Sequence, residues 1–377
     1  MKPDRLLFLD TYTDPTFKSI SSAEIGFGIS CANSIKSWLR KRNLSLVECS
    51  LNISDSVSKM DWIYDSYKYL NNLEPKPNDV IFIFNSLINF PGEVRRLVNH
   101  HTRVGCPIIG YTHGSHWDKT DSIRVESSPK LLYQDLANML TYDRLFVVSD
   151  YYRVLLRKEL MVLGPVILER FDEIVRVVGL PIDVESIDKS NKRSKKLNTS
   201  NKVRIVFNHS LRPPKQPGNA LYVIEKILST RDNCSFEITR AFIEGTQIEK
   251  DLKNLSKKYK SRIIFHNNLT LNDYYNLLWN CDIQFSTASH ESFGVSTIEA
   301  MYTGNACFTP DDLSYPEITG GIGNYHDIDD LVEMVIKSID DYVFRNNISE
   351  AQRSVAMRYK PSIIVDKIIK IIEEIVV

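Results

Sequence analysis

The chain has 377 residues, enough for two domains, because single hydrophobic cores stop growing at about 250–300 residues. Basic and acidic residues both number 47, so the net charge is zero and no overall positive field attracts nucleic acid. The six cysteines are dispersed, without a C-x-x-C pair, and mostly lie in apolar runs, which favours reduced thiols and a cytoplasmic location. We expect neither a signal peptide nor a transmembrane segment.

Short apolar runs alternate with helical periodicity through the first half of the chain. This alternation predicts an α/β domain in which helices cover a parallel sheet. Strands are predicted at residues 5–10, 46–49, 79–85, 107–112, 144–150 and 175–183, and helices at 29–41, 60–70, 129–140, 151–160 and from Pro91 onward.

The polar stretch 187–202 contains six Lys or Arg residues and few apolar ones. Such composition is typical of an interdomain linker, and a nucleic-acid contact is the alternative. We therefore predict a first domain at residues 1–186, a linker at 187–202, a second domain at 203–358 and a C-terminal helix at 359–377. Within the second part, strands are predicted at 203–208, 236–239, 263–266 and 281–287, and helices at 271–279, 327–339, 348–358 and 361–377.

Two carboxylates, Glu291 and Glu299, lie eight positions apart just after the predicted strand 281–287. A helix that begins near Val295 puts Glu291 on the strand-to-helix loop and Glu299 about one turn inside the helix, so both face one crevice. The start of a helix presents unpaired amides and a partial positive charge, which suit a diphosphate. Gly294 would let such a ligand approach the backbone.

The string E-S-F-G-V-S-T-I-E-A-M-Y-T-G, followed by Tyr315-Pro316-Glu317, resembles the E-x7-E signature of retaining glycosyltransferases of family 4. This resemblance implies the GT-B fold, in which two Rossmann-like parallel-sheet domains face a cleft and a C-terminal helix crosses back to the first domain. It also implies transfer of a sugar from a nucleotide-diphosphate sugar, with the acceptor on the side of the first domain. The second half is most similar to the tRNA-queuosine mannosyltransferase branch.

The resemblance assigns donor-site roles to residues of the second domain. It implies that Glu291 contacts the donor sugar and that Glu299 holds the ribose of the nucleotide. Lys215 matches the family's diphosphate-binding lysine, but its arginine partner is replaced by Ser210, and Arg212 lies two residues further on. The expected donor-binding residues are Asn208, Gly26, Phe293, Gly294, Val295, Ser296, Thr297 and Glu299.

The first domain is expected to contribute residues that follow its strands. His113 comes directly after the strand at 107–112 and matches the family histidine that reaches toward the donor sugar and acceptor. His116, Trp117 and Asp118 are weaker candidates for the acceptor side, with the Trp ring offering a stacking face. Gly26 and Gly28 lie in the predicted loop before residue 29, where donor phosphate binding and a structural turn are both open.

Neither cofactor nor metal is expected, since Lys215, Arg212 and a helix start would stabilise the leaving diphosphate. The only nominal D-x-D string, Asp327-Ile328-Asp329, is interpreted as a helix start. The acceptor is open among a small molecule, a lipid-linked glycan and a nucleoside in tRNA or DNA. A GT-B nucleotide-sugar epimerase and a noncatalytic nucleotide-sugar-binding module are the alternative functions.

Overall fold

The computed structural model describes residues 2–9, 22–49, 59–84, 90–103, 105–121, 130–190, 202–240, 245–267 and 269–376. They form two compact units: one contains 27–181 and 361–377 together with the N-terminal strand, and the other contains 22–26 and 182–360. Each unit is built on a six-stranded sheet. No helix in these ranges is both long and apolar enough to cross a membrane.

The first unit has a wholly parallel sheet in the order β2-β1-β3-β4-β5-β6. Its central strands are buried along their whole length, as expected of parallel strands covered on both faces by helices. The strands are β1 (Leu6–Leu9), β2 (Leu46–Cys49), β3 (Val80–Ile83), β4 (Ile108–Thr112), β5 (Arg144–Val147) and β6 (Val175–Val177). The helices are α1 (Ser22–Lys41), α2 (Lys59–Leu73), α3 (Pro91–Thr102), α4 (Lys130–Thr141), α5 (Asp150–Leu160) and α6 (Pro165–Ile174), with a 3-10 turn at Met161–Leu163.

The second unit has a parallel sheet in the order β12-β11-β10-β7-β8-β9, so its first strand lies between its second and fourth. The strands are β7 (Val203–Phe207), β8 (Cys234–Ile238), β9 (Ile263–Phe265), β10 (Ile283–Phe285), β11 (Ala306–Pro310) and β12 (Asn324–Tyr325). The helices are α7 (Val184–Lys189), α8 (Pro217–Thr230), α9 (Gln247–Tyr259), α10 (Leu271–Trp279), α11 (Val295–Tyr302), α12 (Tyr315–Thr319), α13 (Ile328–Asp340) and α14 (Tyr342–Ala356). Turns of 3-10 helix lie at Pro213–Lys215, Lys260–Arg262 and Met357–Tyr359.

The predicted strands agree with the structure apart from shifts at their ends, but the structure departs from the sequence-based expectations at two places. Helix α1 begins at Ser22, so Gly26 and Gly28 lie inside a helix and not in a loop. Strands β11 and β12 were not predicted at all. Of the predicted linker, residues 187–189 complete helix α7, and residues 191–201 lie outside the described part of the chain.

Two other sequence-based interpretations are confirmed. Asp327 caps the start of α13, because its side chain accepts a hydrogen bond from the amide of Asp330 at 2.9 Å. The D-x-D string is therefore a helix start, as expected. The five cysteines whose side chains the structure describes are buried and form no disulfide among themselves, in agreement with the interpretation from the sequence.

The last helix, α15 (Pro361–Ile375), belongs to the first unit, as the resemblance implied. It presents an apolar face on which Ile364, Ile368 and Ile372 are completely buried. A two-point ion pair also joins Asp366 to Arg42, the residue after α1, with nitrogen-to-oxygen distances of 2.8 and 2.7 Å. Because this pair is exposed, the buried face must supply most of the stabilisation.

We expect Ile368→Ala to lower the free energy of unfolding by about 2–5 kcal/mol, because it removes buried methyl groups and leaves a cavity. The matched control is Ile363→Ala in the same helix, where the side chain is 42% exposed and the expected loss is under about 0.5 kcal/mol. Urea unfolding followed by circular dichroism measures both. Equal losses for the two variants would contradict the packing described for this helix.

Candidate functional site

The candidate site lies at the edge of the second sheet where strands β7 and β10 end side by side. The two strands pair in parallel, with Ile205 opposite Ile283. They are the first and fourth strands of the unit, so the chain leaves them toward opposite sides and opens a crevice. Ligands of open parallel sheets bind at the carboxyl end of such a reversal. Asn208 and His209 follow β7, and the loop that carries Glu291 follows β10.

Lys215 and Glu291 form an ion pair in this crevice. The Lys215 Nζ lies 2.8 Å from a carboxylate oxygen of Glu291 and donates a second hydrogen bond, of 3.0 Å, to the carbonyl of His290. The Thr287 hydroxyl donates to the Lys215 carbonyl at 2.9 Å, and the Ser289 amide donates to the Pro214 carbonyl at 2.9 Å, so the two loops are also tied through their backbone. The structure therefore brings together two residues that the sequence places 76 positions apart.

The Lys215–Glu291 pair fixes the charge of the carboxylate. Burial alone would raise the pKa of Glu291, but the charge and the hydrogen bond of Lys215 outweigh it and hold the pKa below its usual value. Glu291 is consequently ionised at neutral pH. The two side chains together carry no net charge.

Helix α11 starts where the sequence predicted, directly after Gly294. This glycine has φ of 95° and ψ of 48°, and its carbonyl accepts from the amides of Thr297 and Ile298 at 3.0 and 3.1 Å. A Cβ at this position would meet Ile318 Cδ1 at 2.8 Å, so both the backbone conformation and the space require glycine. The first amides of α11, at Val295 and Ser296, have no acceptor within the helix and are suited to an anion.

Glu299 lies in the second turn of α11 and is only 6% exposed. Its two oxygens accept hydrogen bonds from the hydroxyls of Tyr274 and Tyr275, at 3.0 and 3.1 Å. Burial raises its pKa to about 7, and the two tyrosine hydrogen bonds only partly offset that rise. Glu299 therefore titrates close to neutral pH, unlike Glu291.

A chain of polar side chains links the loop after β7 to these helices. The Asn208 amide donates to the Ser296 carbonyl at 2.9 Å and to the Tyr274 hydroxyl at 3.1 Å. The Gln284 amide nitrogen lies 3.2 Å from the Asn208 Oδ1 and 2.9 Å from the His209 Nε2. Both Gln284 and His209 are buried. These contacts hold Asn208 at the start of α11, among the predicted donor-binding residues.

His209 and Arg240 were missed by sequence reasoning. Burial, helped by the charges of Lys215 and Arg240 and opposed by Glu291, lowers the pKa of His209 to about 3, so its ring is neutral. Arg240 lies two residues past β8, the strand beside β7. Each follows a predicted strand at its carboxyl end, and that position was the available signal.

The structure does not bury Arg212 beside Lys215 in place of the arginine that the resemblance implied. Arg212 precedes the 3-10 turn Pro213–Lys215, and its carbonyl accepts from the Lys215 amide at 2.9 Å. Its side chain is exposed, whereas Lys215 is half-buried. The structure thus fixes the backbone of Arg212 near the site without burying its guanidinium there.

In the first unit, His113 directly follows β4, as expected. Its ring packs edge-on against Phe84 and Tyr111, with centroid distances of 4.8 and 5.2 Å. Burial lowers the pKa of His113 to about 3, so the imidazole is neutral at physiological pH. A neutral imidazole offers one hydrogen-bond donor and one acceptor.

The three weaker candidates of the first unit make contacts within it. The His116 amide donates to Asp135 at 2.8 Å, and the Trp117 indole donates to the carbonyl of Leu132 at 3.0 Å. Asp118 accepts from the amide and the hydroxyl of Thr120. Trp117 is buried, which leaves little ring surface for the stacking that the sequence suggested.

The architecture matches solved structures over nearly its whole length. A structure titled "Trehalose-6-phosphate synthase. OtsA" aligns over 99% of both chains with a TM-score of 0.72 and 13% identity. A structure of Anabaena Alr3699/HepE with UDP and glucose aligns over 98% of this chain and 99% of that one, with a TM-score of 0.67 and 15% identity. At such identities the likeness shows the fold, and the chain has the GT-B fold.

Sequence comparison assigns the second part of the chain to a family. Residues 188–355 match the family described as "Glycosyl transferases group 1", so this part is a glycosyl transferases group 1 domain. The chain is 32% identical over 83 residues to a Drosophila melanogaster tRNA-queuosine alpha-mannosyltransferase, and 31% identical over 108 residues to the Escherichia coli serotype-specific mannosyltransferase WbdA. These segments cover 22% and 27% of this chain, and 22% and 13% of the relatives' own lengths.

The raised pKa of Glu299 predicts a pH-dependent effect of Glu299→Gln. Because the pKa in the folded chain exceeds the usual 4.5, the stability from the protonated form is full below pH 4.5 and is lost as pH rises through 7. Glutamine has no such loss. Between pH 5 and pH 8, the wild type should therefore lose roughly 2 kcal/mol relative to the variant.

Urea unfolding of both proteins at several pH values measures this difference. A constant offset between them across that pH range would show that Glu299 does not titrate near neutrality. Glu333→Gln, at an exposed glutamate of α13, serves as the control for the substitution itself.

Proposed function

We propose that this protein is a retaining glycosyltransferase of family 4 that transfers a sugar from a nucleoside diphosphate sugar without a metal ion. The observation that carries the proposal is the grouping of Lys215, Glu291, Glu299 and the glycine-capped start of α11 at one sheet edge. A cation and amides without an acceptor in the helix suit a diphosphate, and the flanking carboxylates suit hydroxyl groups. A nucleotide sugar has the same order of groups, with a diphosphate between the hydroxyls of the sugar and those of the ribose.

Each group has a distinct task in this proposal. Glu291, held ionised by Lys215, accepts hydrogen bonds from hydroxyls of the donor sugar and orients it. Glu299 accepts from the ribose hydroxyls. Lys215 and the first amides of α11 stabilise the negative charge that develops on the departing diphosphate, which is electrostatic preorganisation. The resemblance assigns His113 to the donor sugar and acceptor, where its imidazole would act as a neutral hydrogen-bonding group.

The comparisons support this choice of substrate class. Both curated relatives are named mannosyltransferases, which favours mannose as the sugar. Anabaena HepE is described in complex with UDP and glucose and in complex with UDP-glucose, which supports a nucleotide-sugar donor. The two mannosyltransferases match only part of the chain and HepE matches at 14–15% identity, so the identities of donor and acceptor are part of the proposal.

We propose a modified nucleoside in tRNA or DNA as the acceptor, ahead of a small molecule or a glycan; one relative's name supports the tRNA case. The neutral net charge limits such an acceptor to a local contact. Reduced, buried cysteines are consistent with a reaction in the cytoplasm. A noncatalytic nucleotide-sugar-binding module is the alternative that the serine at position 210 supports.

A panel of UDP-, GDP-, ADP- and TDP-sugars should identify the donor by thermal stabilisation. We expect one nucleotide to raise the melting temperature of the wild type by a few degrees, because a ligand that binds only the folded state stabilises it. The rise should be lost in Glu299→Ala, which removes the ribose acceptor. The matched control, Glu333→Ala, lies exposed on α13 and should keep the full rise.

Three outcomes of this panel contradict different parts of the proposal. Binding by none of the nucleotides would overturn the proposed function. Equal stabilisation of wild type and Glu299→Ala would place the nucleotide elsewhere. If a donor binds but no sugar reaches water or any acceptor offered, the noncatalytic module becomes the better description.

Metal independence has its own test. The stabilisation by the selected donor should be the same in EDTA as with Mg²⁺ or Mn²⁺, because the protein's own cation and amides face the diphosphate. Release of the nucleoside diphosphate should likewise change less than about twofold. A donor that binds or reacts only with added metal would refute this part of the proposal.

A further inference from the structure

Charge balance in the donor site requires another cation besides Lys215. A nucleoside diphosphate brings two ionised phosphates, but Lys215 is already matched by Glu291 at 2.8 Å. His209 is neutral, because its pKa is lowered to about 3. The start of α11 contributes only about half a unit of positive charge. The position that the resemblance reserves for an arginine holds Ser210.

The strand register places Arg240 beside the loop that follows β7. Strands β7 and β8 pair in parallel up to Phe207 and Ile238, and the Thr239 amide continues the pairing by donating to the Phe207 carbonyl at 3.3 Å. Arg240 is the next residue after Thr239, just as His209 is the second residue after Phe207. Residues that follow neighbouring parallel strands emerge at the same sheet edge. Arg240 therefore leaves the sheet next to His209.

The charge of Arg240 changes the pKa values of groups at the nucleoside end of the site. Burial raises the pKa of Glu299 and of Tyr274, and the charge of Arg240 opposes part of that rise. At His209, burial lowers the pKa and the charge of Arg240 lowers it further. Arg240 is half-buried, whereas Arg212 is exposed. Lys215, by contrast, makes its ion pair with Glu291, at the sugar end.

We propose that Arg240 is the second cation of the donor site and binds the phosphate nearer the nucleoside, while Lys215 serves the phosphate nearer the sugar. This inference rests on the proposed function. Guanidinium groups suit phosphate because they offer paired donors in a fixed plane. Arg240 would also favour the ionised form of the Glu299 carboxylate, which is the stronger acceptor of hydrogen bonds from the ribose hydroxyls.

The test compares nucleoside diphosphates with nucleoside monophosphates, which lack the phosphate nearer the sugar. Isothermal titration uses UDP, GDP, ADP and TDP and the four matching monophosphates. Arg240→Gln should weaken the diphosphate and the monophosphate of the preferred base alike, about 10- to 100-fold, since both contain the phosphate nearer the nucleoside. Lys215→Gln should weaken the diphosphate and leave the monophosphate within about threefold.

Two further variants make the result interpretable. Arg240→Lys keeps the charge and should retain more affinity than Arg240→Gln, which also covers the case in which glutamine disturbs folding. Arg231→Gln is the matched control, because Arg231 lies before β8 at the opposite sheet edge in an exposed pair with Asp340. Its affinities should equal those of the wild type. Thermal unfolding of every variant confirms that it is folded.

The outcomes separate this inference from the function on which it rests. Wild-type protein that binds none of the eight nucleotides overturns the proposed function. Wild-type protein that binds, with Arg240→Gln unchanged, overturns only the inference; if Arg212→Gln then loses affinity, Arg212 is the second cation. A loss confined to the diphosphate in Arg240→Gln would also overturn it, because it would place Arg240 at the other phosphate.

Discussion

The parallel pairing of β7 with β10 is the constraint on which the rest of the site depends. It makes the first and fourth strands of the second unit neighbours, with Val206 opposite Gln284. The loops that follow the two strands lead in opposite directions and leave a crevice between them. Asn208, after β7, and Glu291, in the loop after β10, both lie at this crevice. Gln284 joins the two sides directly through its hydrogen bond to Asn208. No local sequence feature could bring these groups together without that strand order.

The two glutamates of the site show how one residue type acquires two chemical characters. Glu299 is buried and Glu291 is largely shielded from solvent, which alone would raise either pKa. Lys215 reverses the shift at Glu291, whereas the tyrosine hydroxyls beside Glu299 carry no charge and offset it only in part. Glu291 is therefore a fixed anion. Glu299 is poised near neutrality, and a ligand hydroxyl that donates to it favours ionisation.

Features with a local cause could be predicted from the sequence. The α11 start at Val295, the position of Glu299 inside it and the Asp327 cap each follow from a few adjacent residues. Gly26 was placed wrongly because glycine was taken as a loop signal, whereas α1 begins at Ser22. Strand β11 was missed because its sequence, Ala306–Pro310, is short and lies inside the recognised motif.

Groups that meet only through the fold could not be predicted. Tyr274 and Tyr275 were seen as part of a helix, and nothing in their spacing indicates that both hydroxyls reach Glu299. Trp117 shows the converse error, since an aromatic ring after a strand suggested an exposed stacking face but is buried. In each case the sequence identified the element correctly, and long-range packing decided which way its side chains point.

The serine at position 210 shows why motif spacing and site chemistry can separate. A diphosphate site needs positive charge at a place in space, and that place lies near the ends of both β7 and β8, because the two strands are paired. An arginine that follows either strand can occupy it. A sequence motif that covers only the loop after β7 detects an arginine in that loop. It does not detect an arginine that follows β8, so the site then looks incomplete. The register from Phe207 and Ile238 onward makes Arg240 a neighbour of His209, so in the proposed site the positive charge that Ser210 does not provide comes from the adjacent strand.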